Sequence, residues 1–290
     1  MNFSLGIPLE RWHQRDIERG LERTRAGLGE RCLSEYTFAN LYLFRKVHSY
    51  RYHPGEYPAV SGITYDGKRH LLPLFDAADV GVRALVEMLS DYDCYFPISG
   101  EKVSGFDGNV FGYDATADDA DYVYPVRNFL ELDGGEMRQK RADLHSLLAS
   151  VRVENRRFAP DLLDDALCVL RQWIVDKNVG PGGADEMPCR EALEFAKDLG
   201  FEGVVYYVNG DPVGFIIAEC LVPGVYAIRF AKGVLARRGI YPYMFRHCCT
   251  ALPEVKFFNF EQDLGIGNLR RTKRSYRPEM LLEKFRISVR

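Results

Sequence analysis

Residues 202–231 read EGVVYYVNGDPVGFIIAECLVPGVYAIRFA, and this stretch decides the fold. Three apolar runs rich in Val, Ile, Tyr and Phe are separated by Asn209-Gly210-Asp211-Pro212 and by Pro223-Gly224, which are typical turn residues. The pattern predicts three consecutive antiparallel strands. Because each run is apolar almost without interruption, we expect both faces of this sheet to be covered.

Helices and strands alternate on both sides of this predicted sheet. Before it, the apolar periodicity predicts two helices, one starting near Pro160 and one ending at Gly200, joined by the Gly/Pro loop VGPGGADEMP. After it, we expect the polar loop KGVLARRGI, a helix over about Pro242–Ala251, the strand KFFNF, a basic helix over about Gly267–Ser275 and the strand MLLEKFRI. The second half is therefore ααβββ, loop, α, β, α, β.

The first half predicts a weaker version of the same order. The runs LYLFRKVHSY, EYPAVSGITY and KRHLLPLF indicate a meander with a hairpin turn at Asp66-Gly67, followed by a helix at Val82–Leu89 and the strand CYFPIS. The Asp-rich segment Val103–Val126 is expected to be a surface loop. We predict an α+β (mixed α/β) chain with two similar domains, 1–125 and 126–290, of which the second carries the active site.

Composition excludes several classes of protein. With 290 residues, 47% hydrophobic and 27% charged, the chain is an ordinary globular protein. It has no stretch of about 20 apolar residues and no secretory h-region near its start, so a cytoplasmic location without a membrane-spanning segment is expected. The seven cysteines are dispersed without C-x-x-C, and neighbours such as His247-Cys248-Cys249 diverge on a helix, so no metal site is predicted.

Charge is distributed unevenly along the chain. Residues 237–290 contain 12 Lys and Arg against 5 Asp and Glu, a net charge of +7, whereas residues 1–236 contain 26 against 36, a net charge of −10. This asymmetry indicates an anionic partner such as a cofactor phosphate, RNA or a lipid head group. A solvated helical face is the alternative explanation.

The loop after the third strand contains Arg237, Arg238 and Gly239, followed by Ile240 and Tyr241. A loop and helix in this position are typical of the GNAT acyltransferase fold, in which a glycine-rich loop presents backbone N–H groups to the pyrophosphate of coenzyme A. Here Tyr241 replaces the second small residue and would crowd a pyrophosphate. Gly239 could equally serve only as a turn before the helix.

The most specific stretch, residues 257–278, reads FFNFEQDLGIGNLRRTKRSYRP. Together with Leu33–Leu43 and Gly239-Ile240-Tyr241, it resembles a bacterial family related to the catalytic domain of phosphatidylglycerol lysyltransferases, which is allied to the Fem-type aminoacyltransferases. The resemblance covers most of the chain and implies two tandem GNAT-like domains and an aminoacyl-tRNA donor. The acidic residue that the family tends to have before the third-strand lysine is Ala231 here, next to Lys232.

Two carboxylates of this stretch, Glu261 and Asp263, follow directly after a hydrophobic strand, where side chains can face a cleft. Either could accept a proton from an attacking amine, or could instead cap a turn or pair with an arginine. Arg270, Lys273, Arg274 and Arg277 recur at helical spacing and would form one cationic face if the helix continued to Arg277. Tyr276 could donate to a carbonyl, stack on a base or simply pack in the core.

We therefore predict transfer of an acyl or aminoacyl group to an amine or hydroxyl, a reaction that requires no cofactor beyond its donor. The predicted catalytic residues are Glu261, Asp263, Lys273 and Tyr276. The predicted phosphate-binding residues are Arg237, Arg238, Gly239, Arg270 and Arg274. The donor is aminoacyl-tRNA by resemblance, with acyl-coenzyme A as the alternative, and a non-enzymatic RNA- or partner-binding module is a third hypothesis. The acceptor stays open, DNA is not expected as a partner, and peripheral membrane contact is compatible with the chain.

Overall fold

The structure is a computed structural model and describes residues 6–178, 180 and 185–290. The chain forms two compact units, each containing one seven-stranded sheet. The first unit is Met1–Asp121 with Gln262–Gly265 and Leu281–Arg290, and the second is Tyr122–Glu261 with Ile266–Met280. We predicted one division near residue 125. In the structure the chain also returns to the first unit twice near its end.

In the first unit the sheet has the order β1-β2-β3-β4-β5-β14-β6. Its strands are β1 (Ile7–Pro8), β2 (Arg51–His53), β3 (Ala59–Ile63), β4 (Arg69–Pro73), β5 (Cys94–Ser99), β6 (Phe111–Ala115) and β14 (Lys284–Val289). Its helices are α1 (Gln14–Arg25), α2 (Phe38–Phe44) and α3 (Val82–Met88). All described pairings are antiparallel except that of β4 with β5, which α3 connects.

In the second unit the sheet has the order β13-β7-β12-β11-β10-β9-β8. Its strands are β7 (Asp121–Pro125), β8 (Val153–Arg157), β9 (Glu202–Val208), β10 (Asp211–Val222), β11 (Val225–Gly233), β12 (Phe257–Asn259) and β13 (Met280–Leu282). Its helices are α4 (Arg127–Glu131), α5 (Arg138–Ser150), α6 (Leu163–Lys177), α7 (Glu186–Glu194), α8 (Ile240–Ala251) and α9 (Gly267–Arg274). Here β11 and β12 are parallel and are connected by α8.

The same arrangement therefore occurs twice, because each unit contains an antiparallel meander that ends in a parallel pair with a crossover helix. A crossover of this kind requires about a dozen residues, usually a helix, to return the chain to the same end of the sheet. The predicted α+β class and the duplication are confirmed.

Most predicted elements exist, and the differences have local causes. LYLF at 41–44 lies in α2, because Thr37 caps this helix by accepting the N–H of Asn40. The predicted Asp-rich loop contains β6 and all of β7. The predicted last strand is two strands in different sheets, β13 and β14. Of the predicted loop at 179–188, residues 179 and 181–184 lie outside the described residues. No helix among residues 6–178, 180 and 185–290 is long and apolar enough to cross a membrane.

The core of the first unit contains a buried group of charges. The ammonium of Lys284, on β14, lies 2.5 Å from Glu35 and 2.6 Å from Asp121, and it donates to the side-chain oxygen of Gln262 at 2.9 Å. Burial lowers the pKa of Lys284, but the two carboxylates raise it above its ordinary value overall. Burial raises the pKa of Glu35 to about 7, although Lys284 pulls it down. The ammonium thus joins three separate segments of this unit.

Replacing Lys284 with Met would leave two buried carboxylates without their cation. We expect the free energy of unfolding to fall by about 3–5 kcal/mol, because an uncompensated buried charge is costly. Urea denaturation measures this change. The control Lys68→Met, at an exposed turn of the same unit, should change stability by less than about 0.5 kcal/mol. Equally small losses of stability in the two variants would contradict the conclusion that the Lys284 ammonium compensates the two buried carboxylates.

Candidate active site

In the second unit, β11 and β12 separate partway along the sheet. They pair from Val225–Phe257 to Ala227–Asn259, where β12 ends, whereas β11 continues to Gly233. Beyond Ala227, no strand among the described residues pairs with this edge of β11. The parallel pair is therefore open at the carboxyl ends of its strands, which is where open sheets bind ligands.

The side chain of Arg229 lies at this opening and is completely buried. It contacts Glu219 of β10 at 2.6 Å and Glu261, just past β12, at 2.5 Å. Phe230 pairs with Ile217 and Ile228 with Ala218, so Arg229 is the extra residue of a β-bulge, a feature that commonly redirects a side chain. Burial opposes its charge, but the two carboxylates raise the pKa of Arg229 above its ordinary value.

The turn that carries Glu261 is held by its neighbours. Glu261 has a positive φ of 57°, and its N–H donates to the side-chain oxygen of Asn259 at 2.7 Å. The buried ammonium of Lys273 donates to the carbonyl oxygens of Phe260 (2.6 Å) and Glu261 (3.1 Å). The Glu261 side chain retains 17% exposure. The backbone around Glu261 is thus held by Asn259 and Lys273, its carboxylate is held by Arg229, and part of the side chain remains exposed.

A second polar cluster lies at the end of β11. The buried ammonium of Lys232 contacts both oxygens of Asp185 at 2.7 and 2.8 Å, and it lies 3.7 Å from the ring centre of Trp173. The indole N–H of Trp173 donates to the hydroxyl of Tyr241 at 3.1 Å. The acidic partner of Lys232 therefore comes from the start of α7, although Ala231 precedes the lysine in sequence.

In the loop before α8, backbone N–H groups are bound by the protein itself. The N–H of Gly233 donates to the Tyr241 hydroxyl at 3.1 Å, and that of Leu235 donates to a carboxylate oxygen of Asp176 at 2.8 Å. Pro242, in the first turn of α8, has no N–H. Two N–H groups just before the predicted pyrophosphate loop are thus already bound within the protein.

The other predicted residues lie in different surroundings. Asp263 belongs to the first unit, is fully buried, and accepts the N–H of Gly265 at 2.9 Å. Tyr276 packs in the core against Phe129, with ring centres 5.2 Å apart, and burial raises its pKa. Arg237 is half-buried, and Arg238 pairs with Asp143 at 2.8 Å.

The predicted continuous cationic face is wrong, because α9 ends at Arg274 and Arg277 has a positive φ of 57°. Lys273 points inward to the Phe260 and Glu261 carbonyls. Arg270 is partly exposed and Arg274 is exposed. The structure brings Glu261 and the Lys273 ammonium together. The catalytic roles predicted for Glu261, Asp263, Lys273 and Tyr276 stay predictions.

Sequence analysis missed Arg229, Glu219 and Asp185. A signal was present for the first two, because each is the only charged residue in its apolar run, VGFIIAECL for Glu219 and VYAIRFA for Arg229. Buried charges require partners, and opposite charges on adjacent strands supply them. No comparable signal marked Asp185, which lies far from Lys232 in sequence.

Gly239 is required where the loop meets α5. It has a φ of 89°, and a Cβ atom there would lie 2.3 Å from the Asp143 carbonyl oxygen. We expect Gly239→Ala to destabilise the protein by about 2–4 kcal/mol, through backbone strain and this clash. Gly210→Ala is the matched control, with a φ of 87° and open space around it, and should cost about 1–2 kcal/mol. Thermal and urea unfolding measure the loss of stability in each variant. Equal losses would contradict the close approach of Gly239 to the Asp143 carbonyl oxygen.

The fold, with its two mixed sheets, defines a class of protein, the tandem GNAT-like acyltransferases. The chain belongs to the family described as phosphatidylglycerol lysyltransferase, C-terminal, whose model matches residues 27–288. It is thus an enzyme of the acyl- and aminoacyltransferase type. No curated protein matches it.

Solved structures share this fold. A conserved protein of unknown function from Bacteroides thetaiotaomicron has 19% identity and a TM-score of 0.82, over 98% of this chain and 99% of that one. L-PGS from Bacillus licheniformis has 13% identity and a TM-score of 0.62, over 98% and 93%. FemX has 7% identity and a TM-score of 0.58, over 99% and 98%.

Proposed function

We propose that this chain transfers an aminoacyl group from aminoacyl-tRNA to an amine or hydroxyl acceptor at the opening between β11 and β12. The observation that carries the proposal is the position of Glu261. Its partly exposed carboxylate is held by Arg229, and its backbone N–H by the Asn259 side chain, beside an unpaired strand edge. Family membership and the basic C-terminal region support the same reaction.

Glu261 is the base in this proposal. The acceptor nitrogen or oxygen attacks the ester carbonyl and forms a new bond to its carbon, while the bond to the tRNA ribose oxygen breaks. The acceptor proton passes to Glu261 and then to the departing ribose oxygen, so charge and atoms balance. Exposure favours Glu261 over Asp263, which is fully buried in the first unit.

Other groups position the reactants. Backbone N–H groups on the unpaired edge of β11 beyond Ala227 can stabilise the oxyanion. Lys273 acts as a positioning residue, because its ammonium fixes the carbonyls of Phe260 and Glu261. Tyr276 supports the aromatic core beneath α9. Arg270 and Arg274 provide phosphate contacts.

Acyl-coenzyme A is the less favoured donor. In this chain the Tyr241 hydroxyl and the Asp176 carboxylate accept the N–H groups of Gly233 and Leu235. The Asp176 carboxylate is held further by Gln172 at 2.8 Å. A pyrophosphate that bound to these two N–H groups would have to displace both acceptors, one of which is a carboxylate of like charge.

Glu261→Gln tests the proposed base. We expect transfer from charged tRNA to hydroxylamine to slow by about 10²–10⁴-fold, because a neutral amide cannot accept the proton. Loss of radiolabelled amino acid from tRNA measures the rate. Glu219→Gln is the matched control, since it disturbs the other partner of Arg229. Similar rate losses in both variants would show that Glu261 serves only the ion pair.

The salt dependence of tRNA binding tests the donor. Replacing Arg270 and Arg274 with Ala should reduce the slope of log affinity against log salt by about one to two, because fewer counterions are released. Arg83→Ala, an exposed position in the first unit, is the control and should leave the slope unchanged. Binding by the parent chain that does not depend on salt would argue against tRNA.

A further inference from the structure

The buried charges around Lys284 in the first unit are not balanced. Its ammonium lies 2.5 Å from Glu35 and 2.6 Å from Asp121, and the three side chains are at most 10% exposed. Two ionised carboxylates beside one ammonium give a net charge of −1 with almost no solvent to screen it. An excess charge of this kind is costly in a protein interior, and binding a proton relieves it.

The three N–H donors of Lys284 are already used. One is directed at Glu35, one at Asp121 and one at the side-chain oxygen of Gln262, at 2.9 Å. An ammonium has only three donors, and its contact with the Ser34 hydroxyl is longer, at 3.5 Å. Lys284 therefore reaches one oxygen of Glu35, Oε1, while the second oxygen, Oε2, faces Ser34 instead.

The Ser34 hydroxyl lies between the two carboxylates. Its oxygen is 3.0 Å from Asp121 Oδ1 and 3.2 Å from Glu35 Oε2. The hydroxyl has one proton and can donate to only one of them. Asp121 is the closer acceptor, and the Ser34 N–H, 2.8 Å from its other oxygen, stabilises its charge. A proton on Glu35 Oε2 would complete the chain, since the carboxyl group then donates to the Ser34 oxygen and the Ser34 hydroxyl donates to Asp121.

Neighbouring titratable groups stay neutral or have other partners. Burial raises the pKa of Tyr36 and of Tyr50, so both side chains are neutral at neutral pH. The Arg286 guanidinium, further along β14, pairs with Asp66 at 2.6 Å and with Asp119 at 3.0 Å. Neither the tyrosines nor Arg286 therefore supplies a compensating positive charge to the cluster.

We propose that Glu35 is a proton-binding site that makes the stability of the first unit sensitive to pH near neutrality. With the proton bound, Lys284 and Asp121 form a balanced pair and the Glu35 carboxyl group donates to Ser34. As the pH rises, the proton leaves to solvent through the exposed 10% of the Glu35 side chain, and the cluster gains a buried negative charge. The cluster belongs to the first unit alone, so this inference does not rest on the proposed reaction.

Proton binding at Glu35 stabilises the folded chain at the acidic end of this range. Burial raises the pKa of Glu35 from 4.5 to about 7, against the pull of Lys284. Between these two values the folded chain holds a proton that the unfolded chain has released. Through this group, the equilibrium constant for unfolding should therefore increase about tenfold for each pH unit as the pH rises from about 5 to about 7.

Other groups titrate in the same range and have to be subtracted. Burial lowers the pKa of His13, His48 and His70, so these side chains make the folded chain less stable as the pH falls, which is the opposite direction. Urea unfolding of the full chain is therefore compared with that of Glu35→Gln from about pH 5 to about pH 8. The ratio of unfolding constants, parent over variant, should rise about tenfold per pH unit up to about pH 7 and then level off. A ratio that does not change with pH overturns the proposal.

Glu35→Gln is expected to fold, because its amide N–H can donate to Ser34 as the protonated carboxyl group does. Glu30→Gln is the matched control, since the same substitution is made at an exposed position of the short 3-10 helix Gly29–Arg31. The control should show the same pH dependence of unfolding as the parent chain. A control that instead behaves as Glu35→Gln does would also overturn the proposal.

Infrared spectroscopy detects the proton directly. The folded parent chain should show the C=O band of a protonated carboxylic acid, which is lost with a midpoint at about pH 7 and is absent from Glu35→Gln. Labelling the glutamate carboxyl groups with ¹³C should shift this band, which distinguishes Glu35 from Asp119 and Asp121 without any variant. A band that the label does not shift, or that persists in Glu35→Gln, places the proton elsewhere and overturns the proposal.

Discussion

A guanidinium without solvent contact requires negative charge beside it, and Arg229 imposes this requirement on the second unit. Removing a cation from water costs several kcal/mol unless its charge and hydrogen-bond donors are satisfied. Glu219 and Glu261 meet that need from opposite sides. The ion pairs therefore connect β10, β11 and the turn after β12, and they hold Glu261 where the two parallel strands separate.

The short segment Asn259–Asp263 serves both units, which gives a physical reason for its dense polar pattern. Asn259 and Glu261 belong to the second unit, where they shape the turn beside Arg229. Gln262 and Asp263 belong to the first, where Gln262 accepts a hydrogen bond from the buried Lys284. Adjacent residues thus satisfy buried groups in two different units.

The strands and helices of the second unit were largely predictable, because long apolar runs and turn residues are local signals. The surroundings of the Lys273 and Tyr276 side chains were harder to predict from the sequence. Spacing alone placed Lys273 on a cationic face, whereas two carbonyl oxygens draw its ammonium inward. It also could not be predicted that Glu261 and Asp263 belong to different units, since a local sequence pattern does not reveal where the chain passes from one unit to the other.

The central claim is that the second unit receives an aminoacyl ester beside Glu261. A crystal structure with an adenosine carrying an amide-linked amino acid at its 3′ position would test it most directly. We predict that the carbonyl of this analogue lies along β11 beyond Ala227, within hydrogen-bond reach of the edge, with its amino acid near Glu261. An analogue that binds elsewhere and does not enter the opening between β11 and β12 would contradict this proposal.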